Sequence, residues 1–329
     1  MSNLRVAVIA GGASAEAGVS RASAAGVMKA LADGGHTPTL FELDAELAGK
    51  LIAQPFDVAF PAIHGRFGED GCLQGLLEIL GLPYVGSGVM ASALAMSKPH
   101  AKAQLRPLGV PLAAEVVVTA GTDLARAARE IRRKLGAAVV VKPGAGGSAI
   151  GVEPISADAP EEALVAALGR VLELDPAVLV EEMKTGKEVT CSVLEDDHGV
   201  PRALPATLIT PRAAGFYDFR SKYAPSGSDH QCPPPFTKPL LDRISDLAVI
   251  AHGALGCRDL SRVDFVVDDG RGEVTVLEVN TLPGMTAVSL FPEAASVAGI
   301  SFPSLCDHLV RRAQSRPRLA LASGIPMPT

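Results

Sequence analysis

The chain has 329 residues, 48% of them hydrophobic and 20% charged, which is typical of a globular protein with two or three domains. The net charge is −6 and basic residues form no run, so neither nucleic acid nor a membrane surface is an expected partner. No apolar run is long enough for a signal peptide or a transmembrane helix, and the five scattered cysteines predict reduced thiols in a cytoplasm.

The N-terminal segment has the pattern of an open α/β domain. A buried strand is predicted at 4–10, followed by two glycines and a helix at 20–31, although the dinucleotide-binding pattern GxGxxG is absent. Glu16 follows the carboxyl end of this strand, where open α/β sheets bind their ligands. Position alone favours the alternative that this carboxylate satisfies free N–H groups at a helix start.

A second strand, at 58–63, runs into the polar loop HGRFGEDG at 64–71. A histidine such as His64 in a loop of this kind is more often a structural hydrogen-bond partner than a base. Helices are predicted at 73–80 and 87–96.

The middle of the chain contains two candidate nucleotide contacts. A strand at 137–141 leads into the glycine-rich loop KPGAGGSAIG at 142–151, whose N–H groups could surround phosphate. The loop lacks the Walker A ending, and a hairpin turn explains it equally well. A strand at 178–180 then runs into polar residues that could read the edge of an adenine, or form an interdomain crossover. These residues are Glu181, Glu182 and Met183, with Glu188 shortly after.

The region 211–235 is bounded by prolines and glycines and contains the aromatic sequence FYDFRSKY at 216–223. A loop of this length is usually functional or disordered, and its aromatic residues and lysine favour a lid. A helix is predicted at 244–255, and two more at 289–298 and 304–313.

The most informative stretch is 262–286, RVDFVVDDGRGEVTVLEVNTLPGMT. Two β-branched runs flank turn-forming residues, which predicts a hairpin. If the turn is centred near Arg271, Asp264 lies opposite Glu278 and Arg262 opposite Asn280, all on one face. Oxygen ligands of this kind suit Mg²⁺ beside phosphate, and an arginine suits a phosphoryl group or an oxyanion. A solvated face with surface ion pairs is the alternative.

Five separated motifs together resemble the D-alanine–D-alanine ligases of the ATP-grasp superfamily. They are AGGASAE at 10–16, AIHGRFGEDGCLQG at 62–75, KPGAGGSAIGV at 142–152, YDFRSKY at 217–223 and RVDF…LEVNTLPGMT at 262–286. The resemblance spans residues 4–312 and implies an α/β fold, a three-domain ATP-grasp architecture with an N-terminal open α/β domain. The implied domains are 1–96, 97–183 and 184–314, the last with a lid at 211–235, followed by a flexible tail at 315–329.

The resemblance implies a cytoplasmic ATP-dependent ligase that joins two D-alanines through an acyl phosphate for peptidoglycan synthesis. The expected cofactors are ATP and two Mg²⁺ or Mn²⁺ ions, and a homodimer is compatible with it. A relative that uses D-serine, D-lactate or another amino acid as acceptor is an alternative, although Tyr223 after Lys222 resembles the dipeptide-forming type. A silent ATP-binding sensor is a second alternative, but such a protein should have lost a metal ligand or Arg262.

The resemblance also implies roles for individual residues, and it favours the functional interpretation of Glu16 and the glycine loop. The expected catalytic residues are Glu16, Ser148, Tyr223, Arg262, Gly284 and Ser289. The expected ATP contacts are Lys98, Lys142, Ser148, Glu181, Glu182, Met183, Glu188, Lys222 and Leu277. The expected D-alanine contacts are Glu16, His64, Arg262, Gly284, Ser289 and Leu290, and the expected metal ligands are Asp264, Glu278 and Asn280. Four residues depart from the usual family pattern without removing a chemical role: Gly18, Ser97, Ala149 and Lys184.

Overall fold

A computed structural model describes residues 3–12, 16–136, 138–212, 227–286 and 288–316. Within this part the chain forms three sheets, each covered by helices, which confirms the predicted α/β class. Lys222, Tyr223 and most of the predicted lid and tail lie outside the described residues. Among the helices in the described part of the chain, none combines the length and apolar character needed to cross a bilayer.

The first sheet is parallel, with the strand order β2-β1-β3. Its strands are β1 (Arg5–Ala10), β2 (Thr37–Glu42) and β3 (Val58–Pro61), and its helices are α1 (Ala17–Asp33), α2 (Leu47–Ile52) and α3 (Cys72–Ile79). Strands β1 and β3 are almost completely buried, as expected for a parallel sheet covered on both faces, which is why their apolar runs were recognisable in the sequence. Strand β2 is mostly accessible to solvent, and the sequence pattern did not predict it.

Two helices, α4 (Val89–Met96) and α5 (Lys98–Leu105), connect the first sheet to the second. The second sheet is antiparallel, with the order β4-β7-β5-β6. Its strands are β4 (Glu115–Thr119), β5 (Val139–Pro143), β6 (Glu153–Ile155) and β7 (Ala177–Glu182), and its helices are α6 (Leu124–Leu135) and α7 (Glu161–Leu172). Apolar side chains of α6 and α7 form one buried core with this sheet.

The third sheet has six strands in the order β11-β10-β8-β12-β13, with β9 paired to β8. They are β8 (Lys187–Glu195), β9 (Pro201–Ala203), β10 (Thr207–Pro211), β11 (Ser228–Gln231), β12 (Leu260–Asp268) and β13 (Glu273–Asn280). Helices α8 (Lys238–Ala254), α9 (Leu290–Val297) and α10 (Phe302–Gln314) complete the described fold. Strand β11 lies inside the region 211–235, which was predicted to be a lid without regular structure. At least these four residues of the region therefore form a strand.

Cores cross the predicted domain limits at two places. Ala95 of α4 and Leu105 of α5 are buried in the same cluster as Val263 of the third sheet. Helix α10 packs back on the first sheet, where Leu309 shares a core with Val8. The predicted boundaries are therefore divisions of the chain, while the cores join segments that are distant in sequence.

The predicted hairpin is β12 and β13, and its functional pairs have the expected register. Asp264 lies opposite Glu278, and Arg262 lies opposite Asn280. The turn itself is displaced by half a residue from the predicted centre, because Asp268 pairs with Glu273. A β-bulge beside Asp264 leaves Leu277 unpaired and absorbs this difference.

Candidate active site

A cavity of about 1770 Å³ lies between the second and third sheets, next to the end of β1 and the start of α1. Every site residue named from the sequence lines it, apart from Lys222 and Tyr223, which lie outside the described residues. Five segments that are distant in sequence thus converge on one space. A volume of this size is large enough for a nucleotide and small substrates together.

The β12–β13 face supplies the carboxylates. Arg262 donates from Nε to Asp264 Oδ1 and from Nη2 to Asp264 Oδ2, each at 2.8 Å. Thr190 on β8 donates to Asp264 Oδ1 at 2.8 Å. Glu278 Oε2 lies 3.2 Å from Lys98 Nζ. Each carboxylate therefore faces the cavity with a cation beside it, which offsets the cost of holding the charge away from water.

These oxygens form a donor set that fits Mg²⁺ or Mn²⁺. Asn280 adds an amide oxygen to the same face, and this oxygen also accepts the N–H of Leu282 at 3.0 Å. Among the residues that the structure describes, no three His, Cys, Asp or Glu side chains form a metal cluster. Two carboxylates and an amide match the coordination preference of Mg²⁺, which binds few protein ligands and completes its coordination shell with phosphate and water oxygens.

The glycine-rich loop connects the antiparallel strands β5 and β6, as the hairpin interpretation expected, and it lines the cavity. Its role in phosphate binding remains a prediction. Ser148 and Ala149 have φ values of 55° and 56°, in the left-handed region that few residues other than glycine adopt. Ser148 Oγ donates to Glu16 Oε1, across more than a hundred residues of chain. This hydrogen bond brings two of the expected catalytic residues together, and their catalytic roles remain predictions.

Lysine side chains form the floor of the cavity. Lys98 Nζ donates to the carbonyl of Gly146 at 2.5 Å, and Lys142 forms an ion pair with Glu181. Burial, reinforced by the charge of Lys98, lowers the pKa of Lys142 to about 7, while the charge of the Glu278 carboxylate opposes that change by favouring the charged form. Two cations beside a loop of backbone N–H groups make this part of the cavity suitable for phosphate.

A buried lysine that the sequence analysis missed supports this arrangement. Lys102 is 2% exposed, contacts Glu181 and lies 3.0 Å from Glu115 Oε2. Burial is the largest cause that lowers the pKa of Lys102, and Glu115 opposes it. Lys102 stands one helical turn after Lys98 on α5, so the i,i+4 spacing of these two lysines was the available signal.

The segment predicted to read adenine has its backbone partly engaged. The Met183 N–H donates to the Ala138 carbonyl at 3.1 Å, which limits any contact of Met183 with a base to its carbonyl and side chain. The Glu181 carboxylate holds Lys102 and Lys142, and Glu182 forms an ion pair with Lys184. The roles of these residues in adenine recognition remain predictions.

The polar loop after β3 places His64 and Glu69 in the cavity wall. Burial, with the charge of Arg262, lowers the pKa of His64 to about 4. Burial, with the charge of Glu16, raises the pKa of Glu69 to about 8, although the Gly65 N–H donates to this carboxylate at 2.5 Å. Near neutral pH both side chains are therefore uncharged. Glu69 was visible in the sequence but was not selected, because its burial depends on the fold.

The start of α9 forms the other end of the cavity. Ser289 is the N-cap residue, and its Oγ accepts the Thr286 N–H at 3.1 Å. A Cβ on Gly284 would lie 2.9 Å from this Oγ, so glycine at 284 leaves room for the hydroxyl. The first N–H groups of a helix lack intrahelical partners and attract anions, so Ser289 and Leu290 lie where a carboxylate would bind.

Comparison with known proteins gives matches over most of the chain. A family model described as D-ala D-ala ligase C-terminus matches residues 105–311, and one described as D-ala D-ala ligase N-terminus matches residues 46–87. The chain is 42% identical to a D-alanine–D-alanine ligase of Desulforamulus reducens, covering 94% of this chain and 98% of that protein. It is 44% identical to one of Desulforudis audaxviator, covering 95% and 99%.

Solved structures agree with these matches. A D-alanine–D-alanine ligase from Bacillus anthracis in complex with ATP has a TM-score of 0.80 and 32% identity, covering 94% of this chain and 97% of that one. A D-alanine–D-alanine ligase from Coxiella burnetii has a TM-score of 0.81 and 26% identity, covering 95% and 94%.

Proposed function

The chain belongs to the D-alanine–D-alanine ligase family, and from this premise we propose how its own residues divide the work of the reaction. The protein is an ATP-dependent ligase that joins two D-alanines for peptidoglycan synthesis. The chemistry needs three sites: one for the phosphates of ATP, one for the D-alanine whose carboxylate is activated, and one for the D-alanine whose amine attacks. The cavity offers a distinct group of residues for each.

Lys98, Lys142 and the N–H groups of the glycine loop hold the phosphates. Asp264, Glu278 and Asn280 would hold the divalent ions, which supply charge neutralisation and Lewis acidity at the transferred phosphoryl group when bound. Before the nucleotide enters, Lys98 balances Glu278 and Arg262 balances Asp264. The carboxylates are thus held in place by partners that can turn to the phosphates and the substrate.

Glu16 receives the ammonium group of the first D-alanine, with Ser148 fixing its orientation. Transfer of the γ-phosphoryl group of ATP to the first carboxylate gives an acyl phosphate and ADP. Attack by the neutral second amine turns the carbonyl oxygen into an oxyanion; when the carbonyl re-forms, inorganic phosphate leaves and the nitrogen loses its proton to solvent. Arg262 and the Gly284 N–H stabilise that oxyanion, because fixed donors in a water-poor site need no reorganisation. His64 is neutral, so it can donate or accept a hydrogen bond here without adding charge.

The second D-alanine binds with its carboxylate at the N-terminus of α9, against Ser289 and Leu290. This position directs its amine toward the centre of the cavity, where the acyl phosphate forms. Glu181, Glu182, Met183, Glu188 and Leu277 line the nucleotide end of the cavity, where adenine and ribose would lie. The predicted contributions of Lys222 and Tyr223 complete the proposal.

The observation that carries the proposal is the convergence of carboxylates, lysines, glycine loop and helix N-terminus on one cavity. The test is ATP-dependent phosphate release with single and paired D-amino acids, L-amino acids and D-hydroxy acids, with masses of the products. We expect one phosphate for each D-alanyl-D-alanine and no ester with D-lactate. A depsipeptide or a mixed dipeptide as the main product would overturn the acceptor assignment, and ATP binding without turnover would favour a sensor.

We also infer a cytoplasmic location, because the enzyme consumes ATP and all five cysteines are free thiols. Two divalent ions, a homodimer and the division into domains at 1–96, 97–183 and 184–314 belong to the same proposal. Metal titration of nucleotide binding and sedimentation analysis test the first two. Limited proteolysis tests the third, since cleavage should concentrate near the domain limits.

A further inference from the structure

A hydrogen-bonded pair of side chains that the proposed mechanism does not use lies beside the acceptor end of the cavity. His230 Nδ1 on β11 lies 2.8 Å from Glu293 Oε2 on α9. His230 Nε2 lies 3.1 Å from Ser228 Oγ. All three side chains line the same cavity as Ser289 and Leu290. Because a carboxylate only accepts hydrogen bonds, Nδ1 must carry the proton that His230 donates to Glu293.

Glu293 stands very close to the proposed binding site of the acceptor carboxylate. It lies in the first turn of α9, four residues after Ser289, and its N–H donates to the Ser289 carbonyl at 3.0 Å. Residues four apart share a helix face, with Cβ atoms about 5–6 Å apart. A helix N-terminus attracts any carboxylate. The Glu293 side chain and the substrate carboxylate therefore share one favourable region and repel each other.

We propose that His230 is a positioning residue for the acceptor D-alanine, because it holds the Glu293 carboxylate against β11 and keeps its charge away from the acceptor carboxylate. This inference rests on the proposed binding of that carboxylate at Ser289 and Leu290. The first D-alanine is proposed to bind through its ammonium at Glu16, which belongs to a different segment of the cavity lining. The effect of His230 is therefore confined to the second binding event.

Strand β11 offers a matched control in the neighbouring residue. Ser228 and His230 are half-buried, whereas Asp229 is exposed and lies at the border of the cavity. Asp229 Oδ1 accepts from Arg212 Nε at 2.9 Å, and the side chains of this pair are 54% and 60% exposed. Asp229→Asn thus removes an exposed ion pair from the same strand and leaves the contact between His230 and Glu293 intact.

The experiment compares His230→Gln, Glu293→Gln, the double variant, Asp229→Asn and Ser289→Ala in the full-length enzyme. Initial rates at varied D-alanine give separate KM values for the first and second D-alanine, and circular dichroism checks folding. We expect His230→Gln to raise the second KM about three- to tenfold, because the Glu293 carboxylate, no longer held by the imidazole, would repel the acceptor carboxylate at short range. Glu293→Gln, the double variant and Asp229→Asn should stay within about twofold of the parent for that KM.

The KM of the double variant for the second D-alanine distinguishes the proposed mechanism from a purely structural role of His230. If His230 only braces the strand, both single variants raise the second KM and the double variant does not recover, and the inference is overturned. An equal rise in Asp229→Asn also overturns it. Ser289→Ala separates the two levels: if it raises the second KM while His230→Gln does not, only this inference fails. If Ser289→Ala leaves the second KM unchanged, the proposed acceptor site itself is wrong.

Discussion

The paired strands β8 and β12 carry two networks of polar and charged side chains, and different groups complete each network. In the middle of the strands, Arg262 and Thr190 both donate to Asp264, on the face where Arg262 and Asp264 line the cavity. At the end where β8 finishes and β12 begins, Glu195 and Asp259 are enclosed by protein. One pair of strands therefore presents exchangeable partners on its cavity face and permanent partners at this end.

The permanent network joins four segments of the chain. Glu195 at the end of β8 accepts from the Asp259 N–H at 2.9 Å and from Arg312 Nε at 3.1 Å. Asp259 accepts from Arg316 Nη1 at 2.7 Å and from the Gly86 N–H at 2.7 Å. Helix α10 and the segment between α3 and α4 are thereby fixed to the third sheet. The comparison teaches that a buried charge satisfied wholly by protein indicates structure, whereas one whose partner faces a cavity indicates function.

Removing a carboxylate from the cavity face should give the largest effect on activity. Glu278→Gln keeps the side-chain volume but removes the negative charge that a divalent ion would meet. We expect kcat to fall about 10³-fold or more, because a metal supplies several kcal/mol of transition-state stabilisation. Steady-state phosphate release at saturating Mg²⁺ measures this. The midpoint of thermal unfolding should stay near that of the parent, and near-normal turnover would refute the assignment.

Removing a carboxylate from the permanent network should affect stability instead. Asp259 is completely buried and has a φ of 62°, a conformation that asparagine also tolerates. Asp259→Asn should lower the free energy of unfolding by about 3–5 kcal/mol, because it removes the counter-charge of the partly buried Arg312 and Arg316. Urea unfolding measures this change, and kcat of the folded protein should be unaltered. A normal urea midpoint with reduced kcat would reverse the comparison.

Arg262 tests whether the exchangeable partner acts in the transition state. Arg262→Ala should lower kcat about 10²–10³-fold, the usual effect of losing an oxyanion donor. The KM for ATP should change much less, because the oxyanion does not exist in the ground state. Full kinetic analysis of Arg262→Ala and Arg262→Lys checks this. A change confined to the KM for ATP would contradict the role, since it would make Arg262 a nucleotide contact only.

Acid unfolding gives the most delicate test of the permanent network. Burial alone would raise the pKa of Glu195, but hydrogen bonds from His252, the Asp259 N–H and Arg312 lower it to about 2. A lowered pKa means that this stabilisation is present above the ordinary value and is lost as pH falls toward 2. The shift corresponds to about 3 kcal/mol. The pH dependence of urea unfolding should therefore be shallower in Glu195→Gln below pH 4.5, and an identical slope would exclude this source.

The cavity face and the permanent network also differ in how many of their contacts could be predicted from the sequence. The pairing of Asp264 with Glu278 was predicted from a hairpin centred near Arg271, and the structure has that pairing because a bulge at Leu277 compensates for a turn centred half a residue earlier. The contact of Glu16 with Ser148 required a family resemblance, since no local rule brings such distant residues together. Glu195, Asp259 and Arg312 belong to no motif, and each alone is an ordinary charged residue. Their importance arises only from tertiary packing.

Lys102 shows the same limit inside the site. Its partner Glu181 is almost eighty residues away, and only the folded sheet shows that both are buried. The α/β class and most strands with strong apolar runs were predictable because burial on both faces leaves a clear signal. Strand β11 was not predicted, because it is short and polar and draws its order from pairing with β10.

The unpaired Leu277 has a consequence for how the hairpin can vary. From the turn outward, Val274 and Val276 point into the core, and the next core residue is Val279 rather than the one expected two positions on. The bulge thus shifts the phase of β13 by one, so that Glu278 and Asn280 reach the cavity face. Without it, the turn that pairs Asp268 with Glu273 would direct Glu278 into the apolar core. The position of Glu278 is therefore set by the bulge at the adjacent Leu277. Inserting one residue into each strand next to the turn would leave the pairing of Asp264 with Glu278 unchanged.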